Sequence, residues 1–72
     1  MSEPPHEVAI TDGMIRLGQF LKLADLVDSG SDARQQIAAG AVRVNGEVEL
    51  RRGRQLRQGD VVSMGGESAQ VA

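Results

Sequence analysis

The densest positive charge in this 72-residue sequence lies in residues 51–57. That segment holds four arginines and no acidic residue, namely Arg51, Arg52, Arg54 and Arg57. A planar guanidinium group can donate paired hydrogen bonds to a phosphate and can stack on a base, so clustered arginines favour a polyanionic ligand. A run of charged residues more commonly forms a solvated surface that binds no ligand. We interpret Arg57 in this second way, as a residue whose aliphatic stem covers the core.

The net charge of the chain, −2, argues against a nucleic-acid partner until its distribution is considered. All eight basic residues and six acidic ones lie between Met14 and Met64, so this part has a net charge of +2. The other acidic residues lie towards the ends, at Glu3, Glu7, Asp12 and Glu67. Because the local surface decides what binds, the sequence remains compatible with a nucleic acid as a partner.

Residues that could support catalysis are scarce. His6 is the only histidine, and cysteine is absent, which leaves no disulfide and no thiolate metal site. No nucleophile–base pair, carboxylate dyad or phosphate-cradling glycine loop is recognisable. Phe20, the only aromatic residue, falls on an apolar helix face, so stacking of bases on aromatic rings is excluded as the main binding mode. We predict a protein that is not an enzyme and uses no metal or cofactor.

The sequence shows no targeting or membrane segment. Residues 1–7 are polar and lack the basic and apolar regions of a signal peptide. No apolar run approaches the roughly 20 residues that cross a bilayer. We therefore expect a soluble, cytoplasmic monomer with a flexible tail at residues 1–7 and no membrane partner.

Two short helices are predicted in the first half of the chain. The apolar positions at helical spacing in the first are Leu17, Phe20, Leu21, Ala24 and Val27. Leu26 falls on the opposite side, so either the helix frays before it or Leu26 meets another element. We expect Gly30 to end this helix in a left-handed conformation and Ser31 to cap a second helix over residues 32–39. At about two turns, the second helix must pack on the first to be stable.

The Asn-Gly pair at residues 45–46, flanked by alternating apolar and polar residues, predicts a β-hairpin. A two-residue turn would mix apolar and acidic residues on one face. A three-residue loop would instead set Val42 opposite Val48 and Arg43 opposite Glu47. We favour this second register because it gives one apolar face and one ion pair.

The remaining strands complete a small α+β domain. A brief strand at residues 8–10 precedes the helices, and residues 61–64 form a strand after them, followed by a short edge strand through Gln70 and Val71. The predicted architecture is a single domain in which a helix–turn–helix pair packs on a short antiparallel β-sheet. Residues 8–64 are assigned to the domain, and residues 65–72 to a short C-terminal strand or tail.

The residues of these elements resemble the S4-type RNA-binding domain, named for a ribosomal small-subunit protein. The matching positions are Arg16, Leu17, Leu21, Ala33, Arg34, Ile37, the pattern G-x-V-x-V-N-G at 40–46 and G-D-V-V at 59–62. The strand before the helices, L-K-L at 21–23 and Ser-Gly at 29–30 are more similar to the short stand-alone bacterial members, the YbcJ-like group.

The resemblance implies the alpha-L motif, an RNA-binding surface made by the helix pair and the adjacent hairpin loop. The RNA expected for such a surface is structured, of ribosomal or transfer type. By position, the residues implied to contact RNA are Lys22, Arg34, Arg43, Arg51, Arg52 and Arg54. The chain departs from larger relatives at Gly30, where they carry arginine, and at Glu47 and Glu49, which make it less basic.

Two alternatives stay open on the sequence. One is a protein-interaction adaptor that docks on a ribosome or a nucleic-acid enzyme through the acidic strand of Glu47 and Glu49. The other is a DNA-binding helix–turn–helix whose second helix reads the major groove. The two-turn length of that helix and its single arginine, Arg34, argue against DNA reading.

Overall fold

The computed structural model describes residues 5–72. Its elements are β1 (His6–Val8), β2 (Ile15–Arg16), α1 (Leu17–Leu23), α2 (Gly30–Ala38), β3 (Val42–Val44), β4 (Glu47–Val48), β5 (Gln55–Leu56), β6 (Val61–Met64) and β7 (Glu67–Val71). Buried side chains from both helices and from β1, β3, β5, β6 and β7 form one apolar cluster. The predicted α+β architecture, a helix pair packed on a sheet, is confirmed. Of the predicted N-terminal tail, residues 1–4 lie outside the described residues, and His6 and Glu7 belong to β1.

Five strands form one sheet in the order β1-β7-β6-β3-β4, and β2 and β5 form a separate antiparallel pair. The neighbours from β7 to β4 are antiparallel, as predicted. Strand β1, however, runs parallel to β7, with His6 beside Ala69 and Val8 beside Val71, so the sheet is mixed. The predicted edge position of residues 70 and 71 is wrong because β1 covers the outer side of β7.

Helix α1 ends before the apolar spacing does. Its last residue is Leu23, and Asp25 turns the chain with a left-handed φ of 61°. The backbone N–H groups of Leu26 and Val27 then both donate to the Leu21 carbonyl, at 2.9 and 3.4 Å. This turn keeps Val27 buried outside the helix, while Leu26 packs half-buried against the core. The helix therefore ends before Leu26, and Leu26 also meets the core.

Helix α2 begins at Gly30, two residues earlier than predicted. Its N-cap is Ser29, whose Oγ accepts a hydrogen bond from the Asp32 N–H at 3.1 Å, so the assignment of the cap to Ser31 is wrong. Gly30 is not left-handed, and that expectation is wrong as well. Because Asp25 already supplies the left-handed residue that reverses the chain, Gly30 is left to form the first helical position.

The β3–β4 hairpin has a two-residue turn, so the favoured three-residue register is wrong. The turn residues Asn45 and Gly46 have φ values of 52° and 86°, as this turn requires. The observed pairs are Arg43 with Val48 and Val44 with Glu47. Strand β6 supplies the apolar neighbours of β3, so the exposed β4 needs no apolar face. Glu49, whose N–H donates to the Val42 carbonyl at 3.0 Å, is buried, and its carboxylate pairs with Arg51 and Arg54.

Asn45 also joins the hairpin to the turn before β6. Its Oδ1 accepts from the Val61 N–H at 2.9 Å, and its Nδ2 donates to Asp60 at 3.1 Å. The other carboxylate oxygen of Asp60 accepts from the Arg57 N–H at 2.9 Å, which is the main reason that the pKa of Asp60 is lowered. The N-G and G-D patterns of the sequence are therefore two halves of one hydrogen-bonded unit that holds the hairpin beside β6.

Candidate nucleic-acid interface

The basic turn, residues 51–54, is docked on the first turn of α1. This helix has no side-chain N-cap. Instead, the Leu17 N–H donates to the Arg54 carbonyl at 2.8 Å, and the Gly18 N–H donates to the Arg52 carbonyl at 3.1 Å. The first N–H groups of a helix have no partner inside it, so these two carbonyls replace the missing cap. The pairing of β2 with β5 holds the turn and the helix side by side.

This docking leaves an open groove of about 330 Å³ between α1, α2 and the basic turn, here called the basic groove. Each neighbouring element contributes one cation to it: Arg16 from β2, Lys22 from α1, Arg34 from α2 and Arg52 from the basic turn. The other lining residues are Gly18, Gln19, Gly30, Ala33 and Gly53. Within residues 5–72, no acidic side chain lines the groove, and its small residues let a ligand approach the backbone.

The four cations of the basic groove are available to a ligand. Their side chains are exposed, and none of them makes an ion pair or a hydrogen bond within residues 5–72. Like charges collected in one groove repel one another, and a polyanion relieves that repulsion when it binds. The groove is therefore an electrostatic match for a phosphate backbone.

The arginine ridge, Arg51 and Arg54 at the two ends of the basic turn, is paired with a buried acid. Glu49 is only 6% exposed, and its carboxylate lies 3.1 Å from Arg51 Nε and 2.9 Å from Arg54 Nη1. Hydrogen bonds from Arg51 and then from Arg54 lower the pKa of Glu49 to about 2, against the opposing effect of burial. Together with Gly53 and Gln55, the ridge borders a second hollow of about 480 Å³.

Arg43 lies on another surface. Its neighbours in β3, Val42 and Val44, are both buried, so alternation along the strand directs Arg43 to the solvent side of the sheet. There its Nη1 donates to the Gly46 carbonyl at 3.2 Å. The structure thus does not bring Arg43 together with the basic groove.

The predicted contact residues fall into three places. Lys22, Arg34 and Arg52 share the basic groove, Arg51 and Arg54 form the adjoining ridge, and Arg43 lies apart. Arg16 also lines the groove, although it is not among the residues that the resemblance implies to contact RNA. Alternation with the partly buried Ile15 shows that Arg16 is exposed, but nothing local in the sequence shows that it faces the basic turn.

The structure also bears on the alternatives. The adaptor hypothesis depended on a surface formed by Glu47 and Glu49, and only Glu47 is exposed. Within residues 5–72, no cluster of three or more metal-ligating side chains is found, and no helix is long and apolar enough to cross a membrane. Within residues 5–72, the basic groove and the adjoining ridge are therefore the candidate binding surface.

The family model described as the S4 domain matches residues 8–72. A probable ribosome maturation protein, RlbA of Bacillus subtilis, is 49% identical over 61 residues, which cover 85% of this chain and 86% of that protein. The putative RNA-binding protein YbcJ of Escherichia coli is 40% identical over 57 residues, which cover 79% of this chain and 81% of YbcJ.

Solved structures agree with the sequence comparison. The solution structure of YbcJ, described as revealing an alpha-L motif involved in RNA binding, has a TM-score of 0.73 and 32% identity, covering 97% of this chain and 90% of YbcJ. The 30S ribosomal protein S4e of Thermoplasma acidophilum has a TM-score of 0.64 and 25% identity, covering 83% of this chain and 32% of S4e. The chain therefore belongs to the S4 domain family, and it is a small RNA-binding domain with the alpha-L fold.

Proposed function

We propose that the basic groove binds the backbone phosphates of a structured RNA. Arg16, Lys22, Arg34 and Arg52 make the central contacts, and the arginine ridge contacts the next stretch of backbone. The observation that carries this proposal is the convergence of four exposed cations, from four separate elements, on one groove without an acidic lining residue in the described part of the chain. Phosphate contacts supply most of the affinity of such a surface.

The form of the RNA follows from what the groove contains. Its lining includes no aromatic side chain, so unstacked bases have no platform there. Arginine and lysine contacts to phosphates suit a folded or double-stranded RNA that is recognised by its shape. We propose ribosomal RNA as the target class, supported by the similarity to a probable ribosome maturation protein and to a 30S ribosomal protein. Transfer RNA is the alternative within the same chemistry, and either partner implies a cytoplasmic role.

Arg43 has a secondary place in this proposal. It lies on the solvent side of the sheet, so an RNA seated in the basic groove reaches it only by continuing past the hairpin. We expect Arg43→Ala to weaken the binding of a long structured RNA and to leave the binding of a short hairpin unchanged.

A salt titration tests the proposal. Fluorescence anisotropy would measure the affinity for a ribosomal RNA hairpin, a transfer RNA and a DNA duplex of matched length, each over a range of salt concentrations. We expect Arg34→Ala and Arg52→Ala each to lower the affinity for RNA about fivefold, equivalent to roughly 1 kcal/mol for an exposed charge pair. Each should also flatten the dependence of log affinity on log salt by about 0.7 to 0.9 per lost phosphate contact.

The matched control is Arg57→Ala. Arg57 is exposed and lies outside the groove, and its substitution changes the net charge by the same amount. We expect its affinity and salt slope to stay near those of the unmodified protein. Equal losses in the Arg34, Arg52 and Arg57 variants would show a diffuse charge effect and reject the groove. Equal affinity for duplex DNA would reject selectivity for RNA.

A further inference from the structure

A buried acid, Glu49, lies beside the basic segment. Glu49 lies two residues before Arg51, the start of the arginine-rich segment, and it is the only buried charged residue within residues 5–72. Its negative charge lowers the positive potential that attracts RNA, so long-range electrostatics alone favours a neutral residue at this position. Burial also opposes ionisation, yet the carboxylate remains charged because it is fully engaged with arginines.

Four hydrogen bonds converge on the Glu49 carboxylate. Oε2 accepts from the backbone N–H of Arg51 and from its Nε, both at 3.1 Å. Oε1 accepts from Arg51 Nη2 at 3.3 Å and from Arg54 Nη1 at 2.9 Å. The carboxylate thus holds the first residue of the basic turn by its backbone and side chain, and the last residue by its side chain.

The pairing does not exhaust the two guanidinium groups. Each carries five N–H donors; Arg51 uses two of them on Glu49 and Arg54 uses one, which leaves three and four. The side chain of Arg51 is 76% exposed and that of Arg54 is 31% exposed. Both side chains therefore keep unused donors and solvent exposure while Glu49 holds their positions.

Holding both ends of the basic turn also fixes the backbone of Arg52, which lies between them. The Arg54 N–H donates to the Arg51 carbonyl at 3.2 Å and closes the turn. The carbonyl of Arg52, between them, accepts from Gly18 at the start of α1. A turn held at both ends thus fixes the backbone of Arg52 at the edge of the basic groove.

We propose that Glu49 is a positioning residue for RNA binding: its buried carboxylate orders Arg51 and Arg54 and, through the basic turn, Arg52. The inference rests on the proposed phosphate binding in the groove. Ordering these side chains before the RNA arrives reduces the conformational entropy that is lost on binding. The negative charge of Glu49 therefore raises the affinity for a polyanion, although it weakens the long-range attraction.

Substitution of Glu49 by glutamine separates positioning from charge, because the two effects have opposite signs. Glu49→Gln removes one negative charge, so charge alone raises the affinity for RNA. Loss of positioning instead lowers the affinity about fivefold, since roughly two long side chains must be ordered on binding or are left out of contact with phosphate. Contacts that no longer form flatten the salt slope by about one to two units. A merely structural role would reduce the folded fraction without changing the slope of the folded protein.

Glu47→Gln is the matched control. It removes the same charge two positions away, on the exposed strand β4, where the Glu47 side chain makes no hydrogen bond within residues 5–72. We expect it to leave the affinity unchanged or raise it slightly, with the same salt slope. If Glu49→Gln binds the ribosomal RNA hairpin as tightly as Glu47→Gln does, the positioning role is overturned.

A second variant keeps the test informative if Glu49→Gln does not fold. Glu49→Asp preserves the net charge but shortens the side chain, so it cannot reach both arginines. Weaker binding with a flatter salt slope supports positioning, and unchanged binding overturns it. The proposed function fails separately: if Arg34→Ala and Arg52→Ala bind as the unmodified protein does, the groove itself is rejected, whatever the Glu49 variants show.

Discussion

A Cβ atom added to Gly18 would lie 2.9 Å from Cγ of Arg52 and 3.8 Å from its carbonyl oxygen. The first distance is shorter than real Cβ contacts, and Cγ is too close to the backbone for the side chain to yield easily. The basic turn and helix α1 thus fit together because residue 18 has no side chain. Helix propensity alone would favour alanine at residue 18, but the close approach of Arg52 leaves room only for glycine.

Gly18→Ala is therefore expected to separate RNA binding from stability. Alanine favours a helix by about 1 kcal/mol over glycine, which offsets the strain of moving Arg52, so the free energy of unfolding should change by less than about 1 kcal/mol. The affinity for RNA should fall as much as in Arg52→Ala, because the displaced guanidinium leaves the groove. Urea denaturation and anisotropy measure the two quantities. In an Arg52→Ala background, Gly18→Ala should have no further effect on binding, and an additional loss would contradict this explanation.

Acid should destabilise the protein in a window set by Glu49. Its pKa is lowered from 4.5 to about 2 in the folded state, so its stabilising effect is complete above pH 4.5 and is lost as the pH falls towards 2. Asp60, whose pKa is also lowered, contributes in the same direction. Urea denaturation at pH 6 and pH 3 should show a smaller difference in unfolding free energy for Glu49→Gln than for the unmodified protein. Glu47→Gln should retain the full difference; a similar reduction in both variants would contradict the assignment.

Asn45 should stabilise the scaffold without contributing to RNA binding. Asn45→Ala removes two hydrogen bonds and places alanine at a φ of 52°, so we expect a loss of about 2–3 kcal/mol in unfolding free energy. Asn45→Gly keeps the backbone conformation and loses only the hydrogen bonds. Its unfolding free energy should therefore lie between those of the unmodified protein and Asn45→Ala, at a loss of roughly 1–2 kcal/mol. Chemical denaturation measures both. A change in the RNA affinity of the folded Asn45→Gly variant would show that this residue also contacts RNA.

Ser29 and Ser31 provide a matched pair for the start of α2. Ser29→Ala removes the side-chain cap on the Asp32 N–H and should lower the unfolding free energy by about 1 kcal/mol. Ser31→Ala changes the same atoms at an exposed position inside the helix, where alanine is favourable, so its effect should be neutral or slightly stabilising. Thermal unfolding of the two variants measures this. A larger loss in Ser31→Ala would place the cap at residue 31.

The sequence predicts the elements of this fold better than their ends. The apolar spacing through Leu17, Phe20 and Leu21 correctly predicts the buried face of α1. The same spacing carries on to Val27, although the helix does not, because a turn at Asp25 returns the chain to the core. Periodicity reports which residues are buried and cannot distinguish a helix from a loop that buries the same residue.

The site shows a similar division. Local charge density draws attention to residues 51–54, and the resemblance to S4 domains adds Lys22 and Arg34, which the structure collects in one groove with Arg52. The role of Glu49 depends on the hairpin register. A register chosen to separate apolar from acidic residues excludes a buried acid, because sequence alone does not show that Arg51 and Arg54 will compensate its charge.

The parallel pairing of β1 with β7 constrains how the protein is made. It joins residues 6 and 69, which are 63 positions apart, so the sheet remains incomplete until nearly all of the described chain has been synthesised. Closing so long a loop lowers the conformational entropy of the chain before the contacts of the sheet can compensate, and contacts of high sequence separation slow folding. A nascent chain that has produced α1, α2 and the basic turn still lacks the strands β6 and β7 that complete its core. Folding should therefore occur in one step only after β7 has been synthesised, and the cations should reach their final arrangement only then.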